Sequence, residues 1–154
     1  MRVGLAAINL SLGLGLGFGA ALSSAACFSS VADESCRTDR DCGDLVCTRV
    51  GECASSSSVY ALRVEWTVHG LATDAVGACD GVGDLELAIS DPTTGGQHAV
   101  RPVPCAAGSF FFDKLPVGYT EVTVTAYGTG GSYLDSSRAS AIGSQGVVRL
   151  SLLP

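Results

Sequence analysis

The sequence predicts an all-β protein: an antiparallel sandwich of about seven strands, preceded by an export segment and a disulfide-rich stalk. Three observations carry that expectation. From Val59 onward, apolar residues recur with a period of two, the spacing of a half-buried strand. Turns rich in Gly and Pro interrupt this alternation at short intervals, and no helical period competes with it. Six of the seven cysteines form a group of four and a group of two, the arrangement of a cross-linked exported chain.

The export segment comes first. After Arg2 no charged residue occurs until Asp33, and residues 3–26 are almost wholly Gly, Ala, Leu and Ser. A positive start, an apolar stretch and small residues before a cut site describe a signal peptide over residues 1–26. The uncharged run is long enough to span a bilayer, which takes about 20 residues. Gly13, Gly15, Gly17 and Gly19 lower its apolarity, however, and Ser23-Ser24-Ala25-Ala26 suits a peptidase. Cleavage there removes Arg2 and leaves eight basic and fifteen acidic side chains, a formal charge of −7. Such a chain repels nucleic-acid phosphate. Lys114 is its only lysine and no basic patch occurs, so nucleic acid is not expected as a partner.

Cys27 stands alone at the end of the signal. An odd cysteine in an exported chain calls for chemistry other than an internal bridge. One modified cysteine and three bridges account for all seven. The segment Leu22-Ser23-Ser24-Ala25-Ala26-Cys27 resembles the lipobox of bacterial lipoproteins, with Ser24 where that family usually has Leu. The resemblance implies a diacylated Cys27 thiol, cleavage just before it and acylation of the new amino terminus. Phe28, rather than Asp, follows and implies delivery to the outer membrane. The membrane is then a partner through the lipid anchor, with envelope proteins or glycans as further contacts. An ordinary signal peptide, with Cys27 free or paired to another chain, is the alternative and gives a periplasmic or secreted protein.

Residues 27–35 comprise the lipidated cysteine and a short polar tether, and residues 36–53 carry Cys36, Cys42, Cys47 and Cys53. With few apolar side chains between them, cross-links must supply the order of this segment. Four cysteines allow three pairings, and the sequence leaves all three open. Zinc sites usually present close C-x2-C pairs, whereas the gaps here are five, four and five residues. Asp39, Asp41 and Asp44 suggest calcium, but Gly43 precedes Asp44 and the twelfth place is Val50, which breaks the loop pattern. No metal and no cofactor is expected. The spacing resembles the small cysteine knuckles of lipoproteins from large-genome bacteria, which implies a stapled stalk or small interaction module. Residues 54–58, Ala followed by four Ser, read as a flexible linker.

The main domain occupies residues 59–154. Tyr60, Leu62, Val64, Trp66 and Val68 share one face of a first strand, which makes Trp66 a core residue. Leu85, Leu87 and Ile89 repeat the pattern before an Asp91-Pro92 turn. Residues 97–103 give a strand whose Pro102 suggests an edge. Ser109 to Phe112 gives another, and residues 115–118 (Leu-Pro-Val-Gly) turn the chain. Val122, Val124 and Ala126 alternate through Tyr127, residues 133–141 offer a further strand, and Val147 to Leu153 closes the domain. Cys79 and Cys105 flank the second and third strands and are expected to pair. Closing that loop contributes about 3–4 kcal/mol by the chain-entropy argument.

The run from Ser109 to Gly128 (Ser-Phe-Phe-Phe-Asp-Lys-Leu-Pro-Val-Gly-Tyr-Thr-Glu-Val-Thr-Val-Thr-Ala-Tyr-Gly) resembles the F-x-x-L-P-x-G-x-Y-x-V-x-V signature of prealbumin-like domains. These include collagen-adhesin B-type repeats and the carboxypeptidase regulatory domain. The resemblance implies a prealbumin- or Ig-like sandwich; Tyr119 directly after Gly118 departs from the pattern. The self-made isopeptide of adhesin repeats needs a first-strand Lys and a last-strand Asn. This domain contains no Asn, and Lys114 lies in another strand. The Tyr-Arg-Gly-Ser ending of transthyretin-related hydrolases is replaced by Ser151-Leu-Leu-Pro154.

His69 and His98 are the only imidazoles, and no G-x-S-x-G elbow accompanies them. They read as surface residues, and no catalytic residue is assigned. The expectation is a non-catalytic, lipid-anchored envelope protein with a structural or protein-interaction role. The alternative is a carbohydrate- or small-ligand-binding module, which an exposed aromatic cluster such as Tyr127 with Tyr133 would favour. A secreted enzyme of unknown type is a third reading.

Overall fold

The computed structural model describes residues 35–142 and 145–154. The signal segment, Cys27 and tether residues 28–34 lie outside the described residues. The first described portion is a small knuckle made of a 3₁₀ turn (Asp39–Cys42) and two short antiparallel strands, β1 (Val46–Cys47) and β2 (Cys53–Ala54). Asp41 holds the turn by accepting the backbone N–H groups of Arg37 and Thr38 at 2.9 and 2.8 Å. Thr48 is buried but satisfied, its hydroxyl accepting the Glu52 N–H at 3.0 Å.

The sandwich follows as β3 (Val59–Val68), β4 (Leu71–Ala72), β5 (Val82–Ser90), β6 (Gln97–Val103), β7 (Ser109–Pro116), β8 (Glu121–Gly128), β9 (Tyr133–Ser140) and β10 (Val147–Leu152). One sheet centres on β3, with β10 on one flank and β7 plus the short β4 on the other. The second runs β6-β5-β8-β9. Seven of these strands are long, and the alternation that defines them also defines the core. Leu62, Val64, Trp66 and Val68 of β3 are buried against Leu85, Leu87 and Ile89 of β5 and Val122, Val124 and Ala126 of β8. Phe112 and Leu115 of β7 and Val148, Leu150 and Leu152 of β10 complete the layer. Each fully buried aliphatic or aromatic side chain contributes roughly 1.5–3 kcal/mol relative to exposure.

Two details differ from the sequence reading. β10 lies parallel to β3, with Val148 beside Val64 and Leu152 beside Val68, whereas every other pairing in both sheets is antiparallel. The parallel pair follows from topology. β9 ends beside the start of β8, and its connection crosses to the other sheet at the end where β3 begins. The second difference is Ala54–Ser58, expected as a flexible linker. Its serines form a 3₁₀ turn (Ser56–Ser58), closed by the Ser58 N–H and hydroxyl, both donating to the Ser55 carbonyl at 3.0 and 2.9 Å. Knuckle and sandwich accordingly fall within one compact unit.

Candidate functional site

The expected cysteine pair is joined: Cys79 bonds to Cys105 with Cα atoms 5.9 Å apart. The bridge links the β4–β5 connection to the β6–β7 connection, at the end of the sandwich where β3 finishes. Trp66 reinforces it from below, its buried indole Nε1 donating to the Cys105 carbonyl at 3.0 Å. In the knuckle, where three pairings were open, Cys36 bonds to Cys47 and Cys42 to Cys53. The sulfur atoms of Cys36, Cys42 and Cys47 lie within 4.8 Å of one another. That proximity comes from two neighbouring bridges, and a bridged sulfur is not the thiolate that a metal requires.

The knuckle is fastened to β7. Between Tyr60 and Leu62 the β3–β7 register shifts, leaving an extra residue on β7 at Asp113–Lys114. Lys114 takes a left-handed conformation there, φ +50°. That backbone is uncommon for a residue with a side chain and belongs to bulges. The bulge gives the knuckle three fastenings. The Lys114 carbonyl accepts the Arg49 N–H at 3.0 Å, its ammonium donates to both Asp39 carboxylate oxygens at 2.7 Å, and Asp113 pairs with the Arg49 guanidinium. Asp39 also accepts the Cys47 N–H at 2.9 Å. The Lys114 and Cys47 hydrogen bonds, in that order, hold the Asp39 carboxyl below its ordinary value. Val50 adds an apolar contact with the core. An edge strand with open backbone groups is a template for unwanted pairing, and the knuckle covers part of this one.

The two histidines are far apart in the architecture. His69 is exposed just after the end of β3, in a left-handed conformation (φ +53°). His98 sits near the start of β6, at the opposite end of the sandwich, packed edge-on to Phe112 with ring centroids 6.4 Å apart. Burial, and secondarily the nearby Arg49 cation, lower the His98 pKa. Neither imidazole makes a hydrogen bond to a hydroxyl or carboxylate among the described residues.

Tyr127 and Tyr133 are neighbours across the β8–β9 ladder. Tyr133 is 61% exposed. Tyr127 is only half-buried in residue terms, but Arg101 covers its ring, with the guanidinium carbon 3.6 Å from the centroid. Arg101 is held in place by Asp84, Nε to Oδ1 at 2.8 Å. The arrangement is one exposed phenol beside a cation–π stack on the outer face of the second sheet.

Among the described residues, no helix is long and apolar enough to cross a membrane. Comparison of the chain with protein-family models, with curated proteins and with solved structures gives no match.

Proposed function

We propose that this chain is a non-catalytic cell-envelope protein, lipid-anchored through Cys27, that presents a knuckle-and-sandwich body for contact with other envelope proteins. The observation that carries the reading is the fastening of the knuckle to β7 through Asp39–Lys114 and Arg49–Asp113. An anchored tether of nine residue steps from Cys27 to Cys36 reaches about 30 Å at most. A knuckle fixed to the sandwich therefore keeps the whole body near the lipid surface in a restricted set of orientations. The separation of His69 from His98 supports the non-catalytic part. Phe28 after the lipobox supports outer-membrane delivery by resemblance. The Leu115-Pro116-Val117-Gly118 motif, which ends β7 at Pro116 and turns the chain at Val117-Gly118, supports a prealbumin-like assignment of the sandwich.

The test is site-specific photo-cross-linking in intact cells, with the photoreactive residue at Phe111 or at Tyr133 on the two outer sheet faces. A discrete adduct from one face, abolished by Cys27→Ser, is the expected result. No adduct from either face, or adducts that ignore Cys27→Ser, would count against the reading. A ligand-binding role is favoured by one observation, the exposed Tyr133 beside the Arg101–Tyr127 stack. Tyr133→Ala would then abolish retention on a polysaccharide column.

A further inference from the structure

A cleft of about 550 Å³ lies on the outer face of the β3 sheet. Small-molecule sites commonly enclose about 300–1,000 Å³. Its floor is the parallel β3–β10 pair, where the register sets Glu65 beside Arg149 and Thr67 beside Ser151. Its wall is formed by residues 72–74 and the turn at Gly108. This wall is built rather than incidental. The Cys79–Cys105 bridge ties the two connections together, and Gly108 permits their close approach, since a Cβ there would stand 2.5 Å from the Thr73 hydroxyl.

The charges on the floor are arranged unequally. Glu65 gives one carboxylate oxygen to Arg63 Nε at 3.2 Å and the other to Arg149 Nε at 3.1 Å. The Arg149 guanidinium is thus oriented by a hydrogen bond through Nε, while Arg63 meets Glu65 as an ion pair. The terminal nitrogens of Arg149 have no partner among the described residues, and one of those of Arg63 meets the Ser109 hydroxyl at 3.3 Å. The arginine side chains are 55% and 76% exposed, so these ion pairs contribute little to stability. Two guanidiniums share one carboxylate on the floor, while Asp74 stands on the wall. A planar guanidinium edge matches a carboxylate with two parallel hydrogen bonds. Hydroxyls of Thr67, Ser109 and Ser151 around it both donate and accept, which suits a polyol.

We propose that this cleft binds a hydroxyl-rich carboxylate, a uronic-acid saccharide unit, with the acid group on Arg149 and Arg63 and the sugar hydroxyls on the Ser/Thr rim. The site goes beyond the envelope-contact reading and depends on neither the anchor nor the knuckle.

Calorimetric titration of the full mature chain with digalacturonate, its dimethyl ester and acetate tests the proposal. Digalacturonate should bind saturably at one site per chain. The ester keeps the hydroxyls and loses the charge, acetate does the reverse, and each should bind about 10-fold or more weakly. Arg149→Gln should weaken digalacturonate about 10-fold or more, by loss of hydrogen bonds between charged groups. Ser151→Ala, a milder change to the same rim, should weaken it in the same direction, and Lys114→Gln at the remote knuckle should not. No saturable binding up to about 10 mM would overturn the proposal. So would an ester or acetate that binds as well as the diacid, or affinity unmoved in both cleft variants.

Discussion

Lys114 and Asp39, separated by 75 positions in the chain, meet with the ammonium donating to both carboxylate oxygens at 2.7 Å. The contact joins a disulfide-stapled knuckle to a strand of the sandwich. The Asp39 carboxyl lies below its ordinary value of 3.8, first through Lys114 and then through the Cys47 N–H. A group depressed in the folded state contributes fully above the unfolded value and loses that contribution as pH falls through the folded one. The fastening should therefore be complete above about pH 4 and weaken below it. The Cys47 amide shift, followed by NMR, should report a midpoint below 3.8 that rises in Lys114→Met. An unchanged midpoint in that variant would show that the pair does not operate in solution.

His98 of β6 packs against Phe112 and lies near Arg49. Burial first, then the Arg49 cation, favour its neutral form and lower its pKa from 6.5. Its contribution to stability is complete above the unfolded value and is lost as pH falls through the lower folded value. In Arg49→Gln the His98 midpoint should move upward without passing 6.5, because burial remains. A midpoint at or above 6.5 in the unaltered chain would contradict the burial of His98 against Phe112.

The Cys79–Cys105 bridge spans a sequence separation of 26. Replacing both residues by Ala should cost about 3–4 kcal/mol, measured as a lower urea midpoint. The Cys36–Cys47 and Cys42–Cys53 pairs should survive in that variant, as shown by non-reducing peptide mapping. Reshuffled bridges would mean that the three pairs do not form independently.

Glycine positions separate rigid from yielding neighbours. A Cβ at Gly83 would stand 2.8 Å from the Gly128 carbonyl oxygen and the Thr129 Cα, all backbone. At Gly118 it would meet the Asp91 carboxylate at 2.6 Å, a group that can rotate away. Moving it forfeits the 2.7 Å bond from the Thr93 N–H. Gly83→Ala should therefore destabilise by about 1–3 kcal/mol, the scale of overpacking, and by more than Gly118→Ala. Denaturant midpoints of the two variants decide the order.

Much of the sandwich was legible because burial on one face imposes alternation. Leu62 to Val68 and Val122 to Ala126 mark their strands directly. The Leu115-Pro116 step reads as a turn, yet β7 continues through it because Leu115 pairs with Tyr60 and Pro116 with Val59. Such pairing is decided by a distant partner and leaves little local trace. The same holds for the parallel placement of β10, for the pairing of the four knuckle cysteines, and for the left-handed Lys114 on which the knuckle rests. The cleft was hidden for a related reason. Arg63, Glu65 and Arg149 read as ordinary outward residues until the register brings β3 and β10 together.

The most direct test of the account is the intact mass of the protein extracted from membranes. A lipid-anchored body gives a chain that starts at an acylated Cys27, with the other six cysteines in three bridges. A water-soluble mature chain carrying an unmodified thiol at Cys27 would contradict it.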